Sequence, residues 1–190
     1  MSQKIGYIVG SLSKESINRK LAKALARLAP EGVELVEIPI GELPLYNRDL
    51  DADYPPVARA FKDALAAVDG VILVTPEYSR SIPGALKNAL DWAARPWGTS
   101  SFARKPTAVI GTSGGGVATA AAQQHLKAIL LHMDAIVLGQ PEGYVQSTPG
   151  LITDDGEVTS ADTAEFLAGY VQAFSDLIAR VQASRGVTAR

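Results

Sequence analysis

The strongest constraint in this chain is an alternation of two periodicities. Short runs rich in Val and Ile, at 5–9, 33–38, 71–74, 107–110 and 136–138, are bounded by Gly, Pro or Thr. That pattern reads as strands. Between them, apolar residues recur at helical spacing. Ile17, Leu21, Leu25 and Leu28 share one face, with Arg19, Lys20, Lys23 and Arg27 turned outward; Val57, Phe61, Leu65 and Val68 form a second face. A third helix is expected from about 84 to 94 and a fourth from about 117 to 132. The last places Phe166, Tyr170, Phe174, Leu177 and Val181 along one stripe. Strands that alternate with helices imply an α/β fold, a five-stranded parallel sheet with helices on both faces.

Charge fixes the strand order. The run 33–38 carries Glu34 and Glu37 and belongs at an edge, whereas 71–74 and 107–110 carry no charge and belong in the centre. An edge second strand suits the order 2-1-3-4-5 and disfavours 3-2-1-4-5. Residues 140–161, rich in Gly, Pro and Thr, read as a long surface excursion before the last helix. Residues 1–183 are read as one domain, and 184–190 as a flexible tail.

Composition narrows the chemistry. There is no Cys, so disulfides and thiolate catalysis are excluded, and His125 and His132 alone are too few for a zinc site. No metal is expected. A net charge of −2 without a basic block gives no footprint for nucleic acid. No apolar stretch approaches the ~20 residues that span a bilayer, and the first residues lack the apolar core of a signal peptide. The expectation is a cytoplasmic protein with no membrane partner.

In open α/β sheets, ligands bind beyond the carboxyl ends of the strands at the switch point. The loops after strands one, three and four carry the unusual residues. The first reads Gly10-Ser11-Leu12-Ser13-Lys14-Glu15-Ser16-Ile17-Asn18 and feeds a helix N-terminus, where free N–H groups and the helix dipole favour anions. Taken alone, it reads first as a helix cap by Ser13 or Ser16. It is neither a Walker A loop nor Gly-x-Gly-x-x-Gly. The second reads Thr75-Pro76-Glu77-Tyr78-Ser79-Arg80-Ser81-Ile82-Pro83-Gly84, a preset wall offering backbone groups and one aromatic ring. The third, Gly111-Thr112-Ser113-Gly114-Gly115-Gly116, lets backbone approach a ligand closely. It also matches the Gly-x-Ser-x-Gly nucleophile elbow, but no acid followed by a His comes after Ser113, so the hydrolase reading fails on chain order.

Together these loops, with Leu86-Lys87-Asn88-Ala89-Leu90-Asp91-Trp92 and Leu43-Pro44-Leu45-Tyr46-Asn47, resemble the NAD(P)H-dependent FMN reductase family. The nearest likeness is to its bacterial chromate, quinone and ferric reductases. The resemblance implies a flavodoxin-like three-layer α/β/α sandwich, one FMN per subunit, NADH or NADPH as co-substrate, and a homodimer or homotetramer. It implies that Ser11, Ser16 and Asn18, with Ser13 and Ile17 beside them, hold the FMN phosphate. Pro76, Glu77, Tyr78 and Ser79, with Ser81, would line one side of the isoalloxazine, and Ser113, Gly114 and Gly115 its pyrimidine end. Tyr46, Asn47 and Asp49 would reach a partner subunit's flavin. Relatives often carry Arg where Ser13 stands and Asn where Ser79 stands.

With a flavin as hydride acceptor, the protein needs no nucleophile, metal or catalytic His. The expected reaction is ping-pong hydride transfer from NAD(P)H to FMN and then to quinones, chromate, ferric complexes or free flavin. Arg95 reads either as a cation at a helix C-terminus or as a group that steers nicotinamide phosphates or an anionic acceptor. Lys87 and Asp91, at i and i+4, are expected to pair. The rivals are a flavodoxin-type electron carrier, which is usually strongly acidic, and a flavin-free scaffold on the same fold.

Overall fold

The computed structural model describes residues 2–188, with side chains described for 2–185. Strands β1 (Gln3–Val9), β2 (Val33–Glu37), β3 (Gly70–Val74), β4 (Pro106–Ser113), β5 (Ile136–Val137) and β6 (Gly143–Gln146) form one parallel sheet. Helices α1 (Ile17–Arg27), α2 (Pro56–Ala66), α3 (Gly84–Ala94), α4 (Ala120–His132) and α5 (Ala161–Thr188) connect or follow the strands, with a short 3-10 turn at Arg48–Asp51. The order is β2-β1-β3-β4-β5, as the charge pattern implied. Glu34 and Glu37 are exposed on the edge strand, and every residue of β3 is buried.

Side chains alternate across the sheet and build two cores. Ile72, Val74 and Ile110 pack with Leu21 and Leu25 of α1 and Tyr170 and Phe174 of α5. Val71, Leu73 and Val109 pack on the other face with Phe61 of α2, Trp92 of α3 and Leu126 of α4. Each fully buried Leu or Phe contributes about 1.5–3 kcal/mol relative to exposure.

The fifth strand position differs from the expectation. β5 pairs with Pro106 and Thr107 and then leaves the sheet; β6 returns alongside Ile110 to Ser113. The excursion expected at 140–161 therefore contributes a strand. Gly143 permits the re-entry, because a Cβ there would lie 2.6 Å from Ile110 Cγ1. Pairing with β6 also carries β4 through Gly111, Thr112 and Ser113, which the sequence suggested were loop. The fourth helix begins at Ala120 rather than near 117, because Ala118 is left-handed (φ 49°) and a turn precedes the helix. Backbone from 184 to 188 belongs to α5, where a flexible tail was expected; 189 and 190 lie outside the described residues.

Candidate functional site

Three loops meet beyond the carboxyl ends of β1, β3 and β4, beside the point where strand order reverses. Backbone bonds hold them in register. Gly10 N–H donates to Val74 O at 2.8 Å, Thr75 N–H to Ile110 O at 2.9 Å, and Ser147 N–H to Ser113 O at 2.8 Å. The fit is closest at Gly111, where a Cβ would lie 2.0 Å from the Thr75 carbonyl oxygen.

In the first loop, Ser16 is the N-cap of α1, its Oγ accepting from Arg19 N–H at 3.3 Å. The cap reading therefore holds. Ser11 is buried, with its Oγ 3.4 Å from Tyr78 Oη and accepting from Ser13 N–H at 3.4 Å. The Ser13 side chain is exposed, and Ile17 flanks the helix start at 37% exposure. Among the described residues, the N–H groups from Lys14 to Asn18 meet no protein acceptor. They stand where the helix dipole is positive, an arrangement that favours an anion. Asn18 is engaged elsewhere. Its amide is 1% exposed; Nδ2 donates to Thr112 O at 2.9 Å, and Oδ1 accepts from Thr112 N–H at 3.0 Å.

After β3, the buried Pro76 leads into a two-residue turn closed by reciprocal Tyr78–Ser81 backbone bonds of 2.9 and 3.0 Å. Ser79 (φ 50°) and Arg80 (φ 62°) are both left-handed, the conformation of a type I′ turn. Asn tolerates that conformation better than Ser. Tyr78 is half exposed. Ser81 Oγ lies 3.0 Å from His125 Nδ1, so that imidazole serves the turn. Glu77 accepts from Ala122 N–H at 3.1 Å and pairs with Arg80 at 2.8 Å. Burial pushes its carboxyl up, but the bonds from Ala122, Arg80 and Ala121 outweigh that and hold it below the ordinary value.

After β4, Ser113 Oγ donates to Ala118 O at 2.6 Å and accepts from Gly115 N–H at 3.3 Å. Nothing lies within 4 Å of where a Cβ would stand on Gly114 or Gly116, so this backbone is open to a ligand. A cleft of about 420 Å³ runs between Glu77, Ser79 and Arg80 on one wall and Ser113, Gly115 and Gly116 on the other. A larger groove of about 640 Å³ lies against β2 and α2 and touches the first loop only at Leu12. Its Arg19 and Glu37 are taken up in a mutual ion pair of 2.6 Å, and the rest of its lining is mostly apolar.

The residues expected to act across subunits stand apart from the three loops. Tyr46 packs edge-on against Trp92, its N–H held by Asn88 Oδ1 at 2.8 Å and its hydroxyl donating to Asp51 at 3.1 Å. Asn47 Oδ1 accepts from Asp49 N–H at 3.1 Å, capping the 3-10 turn. Arg95 closes the far end of α3, roughly 16 Å along the helix from Gly84, and pairs with Asp51. Lys87 and Asp91 pair at 2.8 Å as expected. Sequence reasoning missed Asp51, the partner that orients Arg95, and Thr112. The Thr112 hydroxyl is buried with no partner among the described residues, beside the first loop. Its place directly before Ser113 was the available signal.

The acceptor-free N–H groups, the unpartnered Thr112 hydroxyl and the open Gly114–Gly116 backbone fit a phosphate at one end and a polar ring edge at the other. Comparison with known proteins identifies the family. The chain is 47% identical over 175 residues to a 2-hydroxy-1,4-benzoquinone reductase of Burkholderia sp, covering 92% of this chain and 96% of the relative. It is 37% identical over 190 residues to a quinone reductase of Escherichia coli K12, covering 96% and 100%. Among solved structures, the NAD(P)H:(acceptor) oxidoreductase FerB of Paracoccus denitrificans superimposes with a TM-score of 0.89 at 46% identity, covering 94% of this chain and 98% of that one. The profile of NADPH-dependent FMN reductases matches residues 3–149, which takes in all three loops. The chain belongs to the NADPH-dependent FMN reductase family.

Proposed function

We propose that this protein is an FMN-containing NAD(P)H:quinone oxidoreductase that works by ping-pong hydride transfer, with chromate, ferric complexes and free flavin as further acceptors. The observation that carries the reading is the convergence at the switch point of a first loop with acceptor-free N–H groups and a glycine loop whose backbone is open, tied together by Asn18 and Thr112. Identity to quinone reductases over almost the whole chain supports the acceptor class. FMN, when bound, supplies the hydride chemistry.

The chain's own residues do the rest. The N–H groups from Lys14 to Asn18, with Ser11 and Ser16, receive the phosphate. Pro76, Glu77, Tyr78 and Ser79 form the wall beside the ring, with Ser81 bracing their turn. Ser113, Gly114 and Gly115 line the pyrimidine end, where the Gly114 N–H, which meets no protein acceptor among the described residues, favours negative charge. Glu77 stays ionised at neutral pH and ties this wall to α4 through Ala122. One open face serves both substrates in turn, which makes the kinetics ping-pong.

The active assembly is a cytoplasmic homodimer or homotetramer. Leu45 and Trp97, both more than 80% exposed, flank the segment that carries Tyr46, Asn47, Asp49 and Arg95. In such an assembly these residues approach the cleft of a second copy, and Arg95 steers anionic substrate groups there. The test is purification followed by an absorption spectrum, sedimentation, and initial rates of NADH and NADPH oxidation with a quinone. Bound flavin, an assembly larger than one chain and parallel double-reciprocal lines are expected. Bound FMN without turnover would instead support an electron carrier, and a protein unable to take up FMN a scaffold.

A further inference from the structure

We propose that Asn18 is a positioning residue: from the start of α1 it clamps the Thr112 backbone and so holds the glycine loop where it receives the flavin ring. The inference rests on the FMN reading above.

The ladder between β3 and β4 ends at Val74 and Ile110. In a strand, successive residues point their backbone groups to alternate neighbours. Ile110 O faces β3, where it accepts from Thr75 N–H, and Ser113 O faces the other way, where it accepts from Ser147 N–H. Thr112 therefore faces the β3 side, beyond the point where β3 pairs with β4. Its N–H and C=O would be unpartnered there, and Asn18 takes both. A primary amide carries a donor and an acceptor on one planar head, so it can stand in for a strand's peptide group. The pairing joins residues 94 apart in sequence. At one end is the second residue of α1, whose N-terminus receives the anion; at the other is the residue before Ser113. With its carbonyl and one N–H engaged and the residue 1% exposed, the Asn18 side chain acts on FMN through the Thr112 backbone.

Riboflavin, which lacks the phosphate, separates the two roles. Apoprotein affinities for FMN and riboflavin are measured by flavin fluorescence for wild type and Asn18→Ala, with the thermal midpoint of each apoprotein recorded. A positioning role lowers both affinities by the same factor, on the order of tenfold to a hundredfold, and preserves the FMN-to-riboflavin ratio. Loss of FMN affinity alone, or no loss of either, overturns the proposal. A wild-type protein that binds neither flavin refutes the FMN reading itself.

If Asn18→Ala does not fold, Asn18→Asp carries the test. Its carboxylate has no donor for Thr112 O, whereas the protonated acid offers one donor and one acceptor and restores the pairing. Riboflavin affinity of this variant rises as pH falls, while that of wild type does not. Relief of repulsion against a phosphate cannot produce that rise with a phosphate-free ligand. A flat riboflavin profile overturns the proposal.

Discussion

Replacing Gly111 by Ala tests whether the contact between the second and third loops is as tight as the geometry requires. The new Cβ would lie 2.0 Å from the Thr75 carbonyl oxygen and 2.5 Å from Thr119 Oγ1, and side-chain Cβ atoms essentially never come within 3.0 Å of such neighbours. The two backbones must separate by about 1 Å at a place where neither is a flexible end. Overpacking of that kind costs about 1–3 kcal/mol. The shift also weakens the 2.9 Å bond from Thr75 N–H to Ile110 O, which adds about 1 kcal/mol. A total near 3 kcal/mol, at roughly 2–4 °C per kcal/mol for a chain of this size, lowers the melting midpoint by about 6–12 °C. Because Thr75 leads directly into Pro76, Glu77 and Tyr78, FMN affinity falls as well. Gly114→Ala is the control: nothing lies within 4 Å of its Cβ, so it should melt within about 1 °C of wild type. The measurement is thermal denaturation of both apoproteins, followed by FMN titration. If Gly111→Ala melts together with Gly114→Ala, the argument for a tight β3–β4 contact is wrong.

Ser79→Asn should raise the melting midpoint by about 1–3 °C, since Asn relieves part of the left-handed cost at φ 50°; Ser79→Val should lower it. The Glu77 carboxyl lies below its ordinary value of 4.5, with burial opposed and outweighed by the Ala122 and Arg80 bonds. Its contribution to stability is therefore present at neutral pH and is lost as pH falls through the depressed folded value. Glu77→Gln should melt below wild type near neutrality, and the gap should close as the two melting curves are followed under acid below 4.5. Arg95→Ala should raise KM for NAD(P)H with little change in kcat and none in FMN affinity. A change in melting midpoint alone would reduce Arg95 to the structural partner of Asp51.

Much of this architecture is legible in the sequence, and the exceptions have a common cause. Glu34 and Glu37 place β2 at the edge because, three residues apart, they put a charge on each face of the strand and neither face can be fully buried. The uncharged runs place β3 and β4 at the centre by the same reasoning. Lys87 and Asp91 pair because helical spacing alone decides which side chains meet. β6 is not legible: the four residues Gly143–Gln146 carry too short an apolar pattern to stand out. Missing it hides the continuation of β4 through Thr112, and with it the direction in which the Thr112 backbone points. That direction gives Asn18 its task. Sequence shows that Asn18 carries a donor and an acceptor next to an anion-receiving loop, and a phosphate is then the natural partner to infer. Only the sheet reveals that a backbone peptide, 94 residues away, already occupies both functions. The proposal that this loop receives a phosphate does not depend on that side chain, because it rests on N–H groups, which every residue but proline supplies.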